Sequence, residues 1–96
     1  MNYTWDDQKR LKVLDDHRVD FRNLEDIFAD PSGVEFVDDE HSTEEEIRYA
    51  IIGITAAYGL VYLVYTEPSD DEIHYITARR AENWMVTVYD QRRSRI

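Results

Sequence analysis

The sequence predicts a single α+β domain: two N-terminal helices, a mostly antiparallel sheet of four to five strands, and a closing C-terminal helix. Three observations predict it. Apolar residues recur at helical spacing between residues 6 and 29. Runs rich in β-branched and aromatic residues, separated by turn signals, fill residues 34–79. A helical apolar stripe returns after residue 80. The length of 96 residues, with 43% hydrophobic and 12% aromatic residues, fits one domain over residues 1–96 with a modest core.

Each element follows in order. Tyr3 and Trp5 alternate with polar neighbours, which reads as a short first strand. Asp6 or Asp7 is placed to N-cap a helix through about residue 16, with Leu11 and Leu14 inward. A second helix is expected over residues 20–29, with Phe21, Leu24, Ile27 and Phe28 on one face. Asp30-Pro31-Ser32-Gly33 is a turn signal that ends it. Val34 and Phe36 start a short strand toward Asp38, and residues 47–52 and 60–66 read as two more. Both faces of residues 60–65 are largely apolar, which places that strand centrally. Ala57-Tyr58-Gly59 and Glu67-Pro68-Ser69-Asp70-Asp71 read as turns, and residues 73–79 as the last strand. Ala81, Trp84, Met85, Val88 and Tyr89 then fall at i, i+3, i+4, i+7 and i+8, a core-facing helical stripe.

Composition narrows the function classes. The chain has no cysteine, which excludes disulfides and thiolate metal sites. Its first ten residues lack the apolar segment of a signal peptide, and the longest apolar run, residues 51–65, is interrupted by Gly53, Thr55 and Gly59. A cytoplasmic protein without membrane attachment is expected. The formal net charge is −10, a field that repels nucleic acid as a whole and favours a basic partner. The charge is uneven. Residues 35–46 hold seven acids and no Lys or Arg, whereas residues 79–95 hold five arginines against Glu82 and Asp90. A local basic patch can bind phosphate within an acidic protein, while the plain reading of both stretches is solvated surface.

One ordered set of short motifs spans nearly the whole chain. It comprises Tyr3-Thr4-Trp5-Asp6-Asp7-Gln8-Lys9, then His17-Arg18-Val19-Asp20-Phe21 leading through Phe28 to Asp30-Pro31. Glu46-Ile47-Arg48, Gly53, Val64-Tyr65-Thr66 and Ile76-Thr77-Ala78-Arg79-Arg80-Ala81 follow. This set resembles the BrnT family, small ribonuclease toxins of type II toxin–antitoxin pairs. The resemblance implies a RelE-like α+β fold and RNA cleavage without a metal. It also implies a ribbon-helix-helix antitoxin of the BrnA kind that neutralises the toxin and carries the complex to its promoter DNA. Lys9, His17, Arg48 and Arg79 match basic or polar positions of the family pattern. Three places depart from it. Asp16-His17-Arg18 stands where the family reads K-H-G. Glu67-Pro68 stands where it has an arginine after the Y-T pair. His74-Tyr75-Ile76-Thr77-Ala78-Arg79 stands where it reads R-I-I-S-A-R.

RNA cleavage of this kind needs a base for the 2′-hydroxyl proton, cations for the charged phosphate, and an acid for the leaving oxygen. Arg48 and Arg79 are the candidate phosphate stabilisers, with Arg80 assisting, because the guanidinium fork matches phosphate oxygens. His17, His41 or Glu46 is the candidate acid or base. Lys9 is a further substrate contact, and Tyr65 and Tyr89 are candidate donors to a phosphate oxygen. Each has a plain alternative. Arg48 and Glu46 make a surface pair, Arg79 and Glu82 a salt bridge at a helix start, His17 a favourable cation at a helix end, and His74 a structural strand residue. No metal or cofactor is expected: His17, His41 and His74 lack ligand spacing, and there is no glycine-rich phosphate loop.

Two readings from different classes follow. One is a BrnT-like endoribonuclease toxin. The other is a non-catalytic protein-binding module on the same fold, its acidic surface turned to a basic, antitoxin-like partner; steering of that kind weakens with salt. An acidic surface suited to a salty cytoplasm is a third explanation of the charge.

Overall fold

In a computed structural model of the chain, residues 1–40 and 42–95 are described. The elements run β1 (Asn2–Thr4), α1 (Asp7–His17), two short 3₁₀ helices (Phe21–Asn23 and Glu25–Ala29), β2 (Val34–Val37), β3 (Tyr49–Thr55), β4 (Gly59–Ser69), β5 (Glu72–Arg80) and α2 (Asn83–Arg93). The strands form one sheet in the order β1-β5-β4-β3-β2, antiparallel except for the parallel β1–β5 pair. The apolar strand expected at the centre, now β4, is the middle strand.

Asp6 caps α1, its Oδ1 accepting from the Lys9 N–H at 3.0 Å. The helix turns Val13 inward and leaves Leu11 52% exposed, so the expected inward pair is wrong at Leu11. The end of the helix is unusual. Arg18 takes φ 59°, the left-handed conformation usually left to glycine, and donates its N–H to the Leu14 carbonyl at 3.0 Å.

The second expected α-helix is instead a pair of 3₁₀ turns. Phe21, Leu24 and Ile27 are spaced by three and all are buried. That spacing suits the three-residue turn of a 3₁₀ helix, which stacks them on one line. Asp20 ties this segment down. Its buried carboxylate accepts from the Arg22 backbone N–H (2.9 Å) and guanidinium (2.8 Å), and more distantly from Arg10 (3.4 Å); its own N–H donates to the Tyr58 hydroxyl (3.0 Å). The Arg22 hydrogen bond holds the Asp20 carboxyl below its ordinary pKa despite burial.

Two strand ends differ from expectation. β3 begins at Tyr49 because Ser42 and Thr43 hold the preceding residues in a loop: Ser42 Oγ accepts from the Arg48 N–H (2.9 Å) and Thr43 Oγ1 from the Glu46 N–H (3.0 Å). β4 runs on through Pro68 to Ser69, leaving only Asp70-Asp71 as the turn. A register shift between Thr66 and Ser69 accommodates the proline, which has no N–H to give the ladder.

The sheet is apolar on both faces. One face buries Ile51, Val61, Leu63, Tyr65, Ile73 and Tyr75 against α1 and the 3₁₀ segment. The other builds a smaller cluster of Ile52, Met85 and Tyr89 under α2. Gly53 is a point of close approach: a Cβ there would lie 2.8 Å from Ile27 Cγ1. Asp30 joins the layers. Its carboxylate accepts from the Ser32 N–H (2.9 Å), the Ile54 N–H (2.8 Å) and the Tyr89 hydroxyl (2.8 Å). Burial pushes its pKa up, but these three hydrogen bonds outweigh that and leave it lowered.

A carboxyl with a lowered folded pKa contributes stability above its unfolded pKa, which is lost as pH falls through the folded value. Asp30→Ala is therefore expected to cost about 2–3 kcal/mol at neutral pH, read by urea unfolding, with the gap to wild type closing as the medium is acidified below the carboxylate range. Arg18→Gly is expected to stabilise by about 1 kcal/mol by relieving the left-handed strain; an unchanged unfolding midpoint would contradict this.

Candidate active site

α2 packs mainly over β2 and β3 and touches β4 through Leu60 and Tyr62. A cleft of about 370 Å³ lies there. Side chains alternate along a strand, and register pairs share a face. Tyr62 is paired with Arg79 and Val64 with Thr77, so these side chains rise together from β4 and β5. Phe36 joins them from β2, Asp38 and Glu40 from the chain just beyond it, His17 from the end of α1, and Trp84 from the first turn of α2.

Arg79 is the centre of this cleft. Its guanidinium carbon sits 5.4 Å above the Tyr62 ring, and its Nη1 lies 3.2 Å from Glu82 Oε1. Its Nε is buried and, among the described residues, has no hydrogen-bond partner. The same Glu82 accepts the Trp84 indole N–H at 3.2 Å. Tyr62 contacts Phe36 at 6.2 Å and meets Trp84 edge-on at 6.2 Å. Burial, helped by the charges of Asp38 and Glu40 and opposed by Arg79, pushes the Tyr62 hydroxyl up, so it stays a donor. The arrangement can hold a phosphate through Arg79, donate from Tyr62 and move a proton at His17. Two acids, the buried Asp38 and the exposed Glu40, line it as well.

The residues singled out in the sequence are divided among several places. His17 and Arg79 share the cleft. Arg48 is ion-paired with Glu46 (Nε to Oε1, 3.2 Å), and Glu46 lines a separate acidic hollow with Glu45, Tyr49 and Glu67. The Arg48 carbonyl accepts the Asp38 N–H at 2.7 Å, one step beyond the last β2–β3 register pair, which sets the Arg48 backbone beside the cleft residue Asp38. Lys9 precedes His17 by eight residues on the same side of α1, about 12 Å along the helix. Arg80 points to the other sheet face, over the Tyr58 ring at 5.6 Å. Tyr65 is buried on that face too, its hydroxyl 3.3 Å from Glu35 Oε2 and its pKa raised by burial. Tyr89 spends its hydroxyl on Asp30. His74 lies with its Nδ1 2.9 Å from Thr4 Oγ1 where β1 joins β5. His41 lies outside the described residues.

Trp84 corrects the expected core stripe: it is 49% exposed, while Met85 and Tyr89 point inward. Neighbouring helix positions differ by about 100°, so with Met85 facing the core Trp84 swings to the cleft. Met85 and Tyr89, at i and i+4, are the buried residues of the stripe, and Ala81 and Val88 pack against their cluster, so Trp84 is the one member that departs from the expectation. Among the described residues no group of three or more His, Cys, Asp or Glu is arranged to hold a metal ion, and no helix is long and apolar enough to cross a membrane.

The chain resembles known proteins in two ways. Its fold is similar to the crystal structure of the Brucella abortus ribonuclease toxin, BrnT, with a TM-score of 0.68 and 23% identity over 86% of this chain and 99% of that one. No curated relative matches it by sequence. Residues 5–83 match the family profile described as "Ribonuclease toxin, BrnT, of type II toxin-antitoxin system". By that match, which takes in well over half of its length, the chain belongs to the BrnT family of ribonuclease toxins of type II toxin–antitoxin systems.

Proposed function

We propose that this protein is a cytoplasmic toxin that cleaves RNA without a metal and is neutralised by a cognate ribbon-helix-helix antitoxin. The observation that carries the reading is that Arg79 and His17, distant in sequence, line one cleft. In the reaction, a base takes the proton of a 2′-hydroxyl and that oxygen bonds to the adjacent phosphorus. The 5′-oxygen leaves and is protonated, giving a 2′,3′-cyclic phosphate and a 5′-hydroxyl. Arg79 would hold the phosphate oxygens as charge builds on them, and His17 would be the acid or base. Arg48 would serve as a second cation once freed from Glu46, with Glu46 the alternative base. Lys9 would guide the strand from α1. Arg80 and Tyr65, on the other face, are given no part in the chemistry.

The charge pattern favours the second reading enough to state it. Glu82 and Glu46 already hold Arg79 and Arg48, and Asp38 and Glu40 face the same cleft. A like-charged phosphate must displace those contacts, with about 1 kcal/mol of repulsion per exposed acid nearby. A protein of this charge that had lost cleavage would retain a surface suited to a basic antitoxin.

Inducible expression separates the two. The wild type is expected to arrest growth with loss of total RNA integrity, and Arg79→Ala at matched protein levels to relieve it, with purified cleavage lowered about 10²-fold or more. No arrest from soluble, folded wild type would favour the binding module.

A further inference from the structure

The cleft carries more aromatic surface than phosphate handling requires. Trp84 is held on two sides, by its N–H to Glu82 and by its edge against Tyr62, yet it remains 49% exposed. A rigid, open indole next to an arginine is a platform for an unstacked base, since every base offers a π-face. The cleft is also polar across its width. Arg79 rises from β5, whereas the exposed Glu40 lies just beyond β2, which β4 and β3 separate from β5 in the sheet. A phosphate is drawn to Arg79 and repelled by Glu40, so an entering nucleotide presents its base edge, not its backbone, to Glu40.

A carboxylate offers acceptors only. On the Watson–Crick edge, guanine presents two adjacent donors, N1–H and the N2 amino group. Adenine and cytosine each present one donor beside an acceptor, and uracil one donor between acceptors. Only guanine matches both oxygens of one carboxylate, as a charge-assisted pair. We propose that this cleft binds a guanosine nucleotide of single-stranded RNA, with the base stacked on Trp84, its Watson–Crick edge on Glu40 and its phosphate toward Arg79. This assignment rests on the ribonuclease reading and gives that site its base preference.

Titration of the full chain with the four nucleoside 3′-monophosphates, followed by the indole N–H resonances of Trp5 and Trp84, tests it; Trp84→Phe assigns the signals. Guanosine 3′-monophosphate is expected to shift the Trp84 resonance, and to bind at least about tenfold more tightly than the uridine nucleotide. Glu40→Gln is expected to abolish most of that difference while the folded spectrum is retained. Equal binding of all four nucleotides, or a preference that survives in Glu40→Gln, overturns the guanine assignment. RNA cleavage by the wild type without any shift at Trp84 overturns the base site and leaves the ribonuclease reading standing. Absence of both cleavage and shift overturns the two together.

Discussion

The carboxylate of Asp30 accepts hydrogen bonds from Ser32 in its own turn, from Ile54 on β3 and from Tyr89 on α2. These three donors come from parts of the chain that pack on different sides of the sheet. The contact is possible because Gly53 lets the 3₁₀ segment approach β3 closely enough to place Ile27 over it. α2 is thereby anchored through its inner residue Tyr89 over the β2–β3 side. The position of α2 in turn decides which sheet surface stays open. The cleft is the consequence: the part of β4 and β5 that α2 borders with Trp84 and does not cover.

In the proposed function, chemistry on that surface depends on a balance of charges. Every arginine with a plausible role is already matched by an acid, Arg79 by Glu82 and Arg48 by Glu46. These pairs are partly exposed, so each is worth little in stability and can be exchanged for a phosphate at small cost. The pairing holds the guanidinium groups in place in the absence of RNA. It also offsets their charge in a protein whose net charge is −10.

Most of the sheet was legible in the sequence because β-branched and aromatic runs with period two are a strong signal, and the doubly apolar run of β4 marked the central strand. The segment after α1 was misread as an α-helix because Phe21, Leu24 and Ile27 satisfy the spacing of one helical turn as well as that of a 3₁₀ turn; the carboxylate of Asp20 at its start and the interruption at Leu24 decide between them only in three dimensions. Of the candidate site, the sequence supplied some residues and not their grouping. Motif resemblance pointed to His17 and Arg79, which line one cleft. Arg79 and Arg80 looked like a pair, but adjacent strand residues face opposite ways. Trp84 reads as core in the sequence because an aromatic at helical spacing usually is, and Glu40 as solvated surface because it sits in a run of acids, yet both line the cleft.

The most direct test of the account is incubation of the purified protein with a single-stranded RNA oligonucleotide in excess chelator, beside Arg79→Ala, with analysis of the new ends. The account predicts cleavage by the wild type alone, leaving 2′,3′-cyclic phosphate and 5′-hydroxyl termini. Cleavage that the chelator abolishes, or that Arg79→Ala retains in full, would contradict it.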